Sequence, residues 1–151
     1  MPELPQVSWV AHLKPDDIEL LSSYGEFLPA HEGQTVITEG TRQDNLFVLI
    51  SGRLTVKRKS DLGELTITTI QPGEIFGEVS VFDPGLASAS VVSDEFSQVW
   101  RISRDDVFYF MQDNPVAGNQ MMVGLATTLA QRLRATDPLT GAIGNNPLQN
   151  E

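Results

Sequence analysis

The 151-residue sequence has no cysteine. This absence excludes disulfide bonds, thiol catalysis, iron–sulfur clusters and zinc sites built on cysteine. The sequence also lacks any apolar run of about 18 residues, the length that a membrane-spanning helix requires. Its first residues do not join a basic segment to an apolar one, as a signal peptide would. We therefore expect a cytoplasmic protein without membrane attachment.

Basic residues and histidines are also scarce. Ten lysines and arginines stand against 20 aspartates and glutamates, and the formal net charge is −10. A field of this sign repels nucleic acids and acidic lipids, because both bind proteins largely through their phosphates. The two histidines, His12 and His31, belong to no Ser/His/Asp or His-x-x-x-His arrangement. We therefore expect neither an enzyme nor a metal site.

What the sequence does contain is a β pattern from about Phe27 to Ile102. Short apolar runs alternate there with glycines that mark turns. Five consecutive apolar residues from Leu46 predict a strand that is covered on both faces. Leu65 and Ile67 alternate with threonines, as in a strand with one exposed face. Many short strands at this spacing indicate a sandwich or a barrel.

Helical signals stand on both sides of the β region. Asp16 and Asp17 predict the first turn of a short helix, where the helix dipole favours negative charge. After the strands, Ser103 is placed to cap a helix over residues 104–112. The β region is therefore expected to carry a helix at each end.

The last predicted helix begins at Asn114-Pro115, runs to about Ala135 and carries no charged side chain between Asp113 and Arg132. A surface helix normally has a charged face. We therefore expect the β region to cover this helix on one side and a second copy of the chain to cover it on another, in a homodimer. The expected dimer contacts are Met121, Met122, Leu125 and Leu129.

Two short segments carry the functional signal. The first is Phe76-Gly77-Glu78-Val79, and the second, which begins nine residues after Glu78, is Ala87-Ser88-Ala89. Together they resemble the phosphate-binding cassette of the cyclic nucleotide-binding domain family, whose pattern is Phe-Gly-Glu, a short loop and then Arg-Ala-Ala/Ser-Thr/Ser-Val. The resemblance covers about residues 13–135, because hairpins, strands and helices follow in the family's order.

This resemblance implies an antiparallel β-roll (a double-stranded β-helix, or jelly roll) with a short N-terminal helix and two C-terminal helices. It also implies that Glu78 accepts a ribose hydroxyl, and that Ser88 and the amide of Ala89 contact the cyclic phosphate. The arginine that binds this phosphate in the family falls at Ala87. In the catabolite-activator branch, a threonine after an Arg-Leu stretch touches the base, and Thr136 stands at that place.

Each of these residues also has a structural interpretation. Gly77 would permit a positive φ or a close backbone approach, and Glu78 would favour the start of a helix. Thr136 would cap a helix end or face solvent. The apolar residues around the first segment would belong to the core; these are Phe76, Val79, Val81 and Phe82.

Ala87 decides the functional expectation. Loss of a desolvated charge pair costs about 2–5 kcal/mol, or roughly 1.5–3.5 decades of affinity. We therefore predict a regulatory sensor domain that binds cAMP or cGMP weakly or with altered selectivity, and no other cofactor. Another arginine could take the place of the missing one, and the candidates are Arg53, Arg101 and Arg134. The alternative is a degenerate module that binds no nucleotide and serves for dimerisation or for docking to a protein partner.

The length and an apolar content of 40% indicate one globular domain, over residues 13–136. We expect residues 1–12 to be an N-terminal extension and residues 137–151, rich in proline, glycine and asparagine, to be a flexible tail. The tail is too short for the helix-turn-helix of the catabolite-activator branch. Together with the net charge, this predicts that the chain alone does not bind DNA.

Overall fold

The glycine-punctuated apolar pattern folds as a β-roll in the computed structural model of the chain, which describes residues 2–6, 8–78 and 82–136, apart from the side chains of Ser8 and Thr136. The ten strands found there are β1 (Glu26–Ala30), β2 (Thr35–Ile37), β3 (Arg42–Gln43), β4 (Asn45–Ser51), β5 (Leu54–Ser60), β6 (Gly63–Ile70), β7 (Ile75–Phe76), β8 (Gly85–Leu86), β9 (Ser90–Ser93) and β10 (Ser97–Ser103). They form two four-stranded sheets, ordered β1-β10-β4-β7 and β2-β9-β5-β6, and a ribbon of β3 with β8. The pairings are antiparallel, which confirms the predicted roll.

Strand β4 lies inside the first sheet, and its residues from Leu46 to Leu49 are buried. Side chains alternate across a strand. Leu46 and Val48 therefore join the core cluster that includes the helices, whereas Phe47 and Leu49 join the cluster inside the roll. The prediction of a strand covered on both faces is confirmed.

Strand β6 differs from its prediction. Leu65 and Ile67 are 50% and 44% exposed, and Ile70 is the one buried residue of the strand. The strand lies at the edge of the second sheet, where β5 is its one neighbour, and its side chains before Ile70 are exposed on both faces. The prediction of one covered face is therefore wrong for this strand, although its β structure is confirmed.

The helices that flank the roll are α1 (Pro15–Ser23), α2 (Arg104–Asp113) and α3 (Pro115–Thr136). The hydroxyl of Ser103 accepts a hydrogen bond from the backbone N–H of Asp106 at 3.2 Å, which confirms the predicted cap of α2. Among the described helices, none has the length and apolar character needed to cross a membrane.

Helix α3 buries, within the protomer, part of the face that we assigned to a dimer. Met121 and Leu125 are fully buried in the protomer's own core, next to Phe110 of α2. The prediction that Met121 and Leu125 contact a second copy is therefore wrong. The physical reason is that residues four apart lie on one face of a helix, and this face packs on the N-terminal segment and α2. Met122 and Leu129 are half-buried.

The opposite face of α3 is open to solvent in the protomer. Val116, Val123 and Leu133 are 76%, 57% and 70% exposed. The small residues Ala126 and Ala130, between them along the helix, are exposed as well. We call these five residues the α3 stripe.

The N-terminal segment packs against the inner side of α3. Leu4, Trp9 and Val10 are buried in the core cluster, and Trp9 lies 6.2 Å from Trp100 between ring centroids. A Cβ at Gly124 of α3 would stand 2.0 Å from the Trp9 carbonyl oxygen. The absence of a side chain at this position thus lets the segment lie directly on the helix.

Candidate functional site

A cavity of about 280 Å³ opens between the two halves of the predicted cassette. Its described lining joins Phe76, Gly77 and Glu78 from the first half with Ala87, Ser88 and Ala89 from the second; the other residues are Ile37, Gln43, Val56 and Val91. The fold therefore brings together six of the eight candidate site residues. Val79 lies outside the described residues, and so does the side chain of Thr136, whose backbone belongs to α3.

Phe76 forms part of the cavity wall and part of the core at the same time. It is 5% exposed, and its ring stacks on Phe47 with 4.9 Å between centroids. Its core interpretation is confirmed. Phe82, by contrast, is 41% exposed, so the expectation that it belongs to the core is wrong. Val81 lies outside the described part of the chain.

Gly77 makes the turn that leads from β7 to Glu78. Its φ is +75°, in the left-handed region that glycine adopts without strain. A Cβ there would stand 2.7 Å from Nε2 of Gln43 and 2.8 Å from the carbonyl oxygen of Asn45. Both the positive φ and the close backbone approach expected for Gly77 are therefore present.

The buried amide of Gln43 holds this turn in place. Its Nε2 donates to the carbonyl oxygens of Asn45 at 2.6 Å and of Gly77 at 3.4 Å, and its Oε1 accepts from the backbone N–H of Asn45 at 2.9 Å. Gln43 also lines the cavity. Gln43 is not recognisable in the sequence, since a glutamine in a short strand has no distinguishing pattern.

Glu78 is 7% exposed and forms an ion pair with Arg132 of α3. Nη1 of Arg132 donates to Oε1 of Glu78, and Nη2 donates to the carbonyl oxygen of Ile75. A buried carboxylate requires such a partner, because an unpaired buried charge is strongly unfavourable. The pair connects the cassette with the last helix.

Arg132 is the site residue that sequence reasoning missed. Of the three substitute cations considered, Arg53 pairs with Asp94 at 3.1 Å and Arg101 pairs with Glu26. Arg134 is exposed in the last turn of α3. Arg132 could have been found from its position, because it lies one helical turn before the candidate Thr136. The two residues are therefore on the same side of α3.

The Arg53 pair belongs to a separate polar cluster. The Thr55 hydroxyl donates to Oδ2 of Asp94 at 2.5 Å, and Nε of Arg53 donates to the same oxygen at 3.1 Å. The Thr55 hydrogen bond, followed by that of Arg53, holds the pKa of Asp94 below its usual value. This cluster ties β5 to the turn after β9 and keeps Arg53 away from the cavity.

The second half of the cassette supplies no charge to the cavity. Ala87 and Ala89 are half-buried on its wall, and Ser88 is exposed. Among the described lining residues, Glu78 alone is charged. In the part of the chain that the structure describes, no three histidine, aspartate or glutamate side chains are grouped to hold a metal ion.

This arrangement of roll, cassette and helices agrees with a sequence comparison. Residues 28–114 match the model of the family described as cyclic nucleotide-binding domain. The chain belongs to this family. The resemblance of its two cassette segments and the β-roll architecture are thereby confirmed.

Two regulators are among the relatives of this cyclic nucleotide-binding domain. The CRP-like cAMP-activated global transcriptional regulator of Mycobacterium tuberculosis is 30% identical over 126 residues, which are 83% of this chain and 54% of the regulator. The Cyclic AMP receptor protein of Thermus thermophilus is 32% identical over 127 residues, 83% of this chain and 56% of that protein. The chain thus spans about half the length of these relatives.

A solved structure shows the same fold. The crystal structure of the Thermus thermophilus catabolite activator protein superposes with a TM-score of 0.79 at 28% identity, over 90% of this chain and 62% of that chain. The domain therefore shares its roll and flanking helices with a regulator, and we assign it as a regulatory domain of the cyclic nucleotide-binding type.

Proposed function

We propose that this domain is a sensor module that binds cAMP or cGMP in the cassette cavity with low affinity. The observation that carries the proposal is that both halves of the cassette line one cavity while Ala87 occupies the place of the phosphate-binding arginine. This arrangement supports a nucleotide site that lacks its principal charge.

The proposed contacts follow from the chemistry of the lining residues. Oε2 of Glu78 is the acceptor for a ribose hydroxyl, since Arg132 occupies Oε1. The Ser88 hydroxyl and the Ala89 amide are donors to the phosphate, and Thr136 is the contact to the base. Phe76, Gly77 and Val79 would then shape the wall and the backbone turn around the ligand.

The ion pair with Arg132 changes the charge balance that the sequence predicted. Glu78 and a ligand phosphate are two negative charges, and Arg132 balances the first of them. The phosphate then meets neutral donors among the described lining residues. The missing arginine contact would have contributed about 2–5 kcal/mol. Because the neutral donors remain, its loss supports weak rather than absent binding.

Isothermal titration of the wild type with cAMP and cGMP, beside Ala87→Arg, tests this proposal. We expect Ala87→Arg to bind at least about tenfold more tightly, as a charge-assisted contact of ~1.5 kcal/mol would give. Leu86→Arg is the matched control. It adds the same charge one residue earlier, at a side chain that is 71% exposed and does not line the cavity, and we expect it to change little.

Two results would contradict the proposal. Submicromolar binding by the wild type would mean that a cation replaces the missing arginine. Absence of binding by both the wild type and Ala87→Arg would instead favour the docking module, whose ligand is a protein partner.

We also propose that the domain forms a homodimer through α3, with the α3 stripe as the contact surface. The seven-residue spacing of Val116 and Val123 matches the repeat by which paired helices bury an apolar seam. The exposed small residues Ala126 and Ala130 would let two helices approach closely. The half-buried Met122 and Leu129 would flank this seam.

Four further proposals concern the chain as a whole. The net charge of −10 supports a regulatory module that does not itself bind DNA. The similarity to two regulators supports a role other than an enzyme and a place in the cytoplasm. We propose residues 13–136 as the domain, with Leu4, Trp9 and Val10 of the N-terminal extension packed on it. The flexible tail expected over 137–151 lies outside the described residues.

A further inference from the structure

The charges around the cavity are balanced before a ligand enters. Glu78 is the charged residue in the described lining, and the guanidinium of Arg132 pairs with it. A second hydrogen bond, to the Ile75 carbonyl, holds the guanidinium on the Glu78 side of the cavity. The pair therefore presents no net charge to a ligand.

The described cavity wall offers an anion neutral donors, such as the Ser88 hydroxyl, but no cation. Ile37, Val56 and Val91 contribute apolar side chains, and Ala87 and Ala89 contribute methyl groups. Moving an ion out of water into such surroundings is unfavourable unless a counter-charge receives it. A neutral ring avoids this cost, because contact with an apolar wall is favourable for it.

The same cavity does contain an acceptor for hydroxyl groups. The Arg132 guanidinium binds Oε1 of Glu78, and Oε2 is left to accept from a ligand. Ionised carboxylate oxygens form strong hydrogen bonds with hydroxyl donors. The volume of about 280 Å³ lies just below the usual range of about 300–1,000 Å³ for ligand pockets, which favours a small ligand.

We propose that this cavity takes an uncharged ligand of the nucleoside class in preference to the corresponding cyclic nucleotide. The inference rests on the proposed function, since it uses the same cavity as the ligand site. A nucleoside presents ribose hydroxyls to Glu78 and a flat ring to the apolar wall. It lacks the phosphate charge that Ala87 cannot receive.

The experiment measures a ratio of affinities for ligands that differ by the cyclic phosphate. The wild type is titrated calorimetrically with adenosine and cAMP, and with guanosine and cGMP. We expect at least one nucleoside to bind as tightly as its cyclic nucleotide or more tightly. In Ala87→Arg, the ratio should move at least about tenfold towards the cyclic nucleotide, because the new guanidinium interacts with the phosphate alone.

Leu86→Arg is again the control for added charge outside the cavity, and it should keep the wild-type ratio. Circular dichroism confirms that each variant is folded. A wild type that binds both cyclic nucleotides more tightly than their parent nucleosides would overturn the inference. So would a wild type that binds neither nucleoside.

The failure of this inference can be distinguished from failure of the proposed function. If Ala87→Arg binds cAMP or cGMP while no protein binds a nucleoside, the inference falls and the weak cyclic nucleotide site stands. If no ligand binds to the wild type or to Ala87→Arg, both fall.

Discussion

Single residues determine the geometry of the cassette, and Gly77 is the clearest case. We expect Gly77→Ala to destabilise the domain by about 2 kcal/mol, since a side chain at positive φ is strained and the new Cβ would meet the Asn45 carbonyl. Urea unfolding measures the change. Gly85→Ala is the control, because nothing lies within 4 Å of a Cβ there. Equal stability of the two variants would show that the turn is not constrained.

The stability of the domain is expected to depend on pH through a single residue, Asp94, which binds Thr55 and Arg53. A carboxylate whose pKa is lower in the folded than in the unfolded chain stabilises the fold above its unfolded pKa, and this contribution is lost as pH falls through the folded pKa. The pKa of Asp94 is lowered by Thr55 and Arg53. We therefore expect Asp94→Asn to melt below the wild type at pH 7, and the difference to shrink below about pH 4.

Thermal unfolding followed by circular dichroism at pH 7 and pH 3 measures this difference. Asp61→Asn is a suitable control, because Asp61 is exposed in the turn between β5 and β6. A difference for Asp94→Asn that is equally large at both pH values would mean that hydrogen-bond geometry, rather than the charge, is responsible.

Among the elements, α3 has one face that packs in the core and an opposite face, the α3 stripe, that is proposed to form the dimer. We expect Val123→Glu to dissociate the proposed dimer and leave the protomer folded, because Val123 is 57% exposed in the α3 stripe. Leu125→Glu should unfold the domain instead, since it would place an unpaired charge in the core. Multi-angle light scattering measures the mass, and circular dichroism reports the fold.

Gln112→Glu, on the exposed side of α2, controls for an added negative charge. A wild type that is monomeric at high micromolar concentration would exclude the dimer. A Val123→Glu variant that stays dimeric would move the interface away from the α3 stripe.

The elements were predictable to the extent that local sequence controls them. The turn glycines, the apolar run from Leu46 and the Ser103 cap act within a few residues, and the structure contains the features that they predicted. The orientation of α3 was not predictable in the same way. Its sequence is uncharged on all sides from Asn114 to Gln131, so no charged face distinguished Leu125 in the core from Val123 at the surface.

At the scale of the whole molecule, the cavity depends on contacts that local patterns cannot reveal. Glu78 and Arg132 are separated by 54 positions in the sequence, and their meeting requires α3 to fold back over the roll. From the sequence, Arg53 and Arg101 were as plausible as Arg132, because all three are arginines. Only the folded structure shows that Arg53 pairs with Asp94 and that Arg101 pairs with Glu26. The resemblance of the cassette to a known family therefore located the cavity, whereas tertiary packing determined its charge.

The packing of the N-terminal segment gives the protein a built-in optical reporter. Trp9 and Trp100 are the two tryptophans of the chain, both are buried, and Trp9 rests on α3 at Gly124. Indole emission responds to the polarity of its surroundings, so a shift of α3 relative to the roll would change the colour or the intensity of this fluorescence. Because Arg132 on the same helix holds Glu78, a ligand that displaced this helix would change the fluorescence of the unlabelled protein at a position about two turns away along the helix.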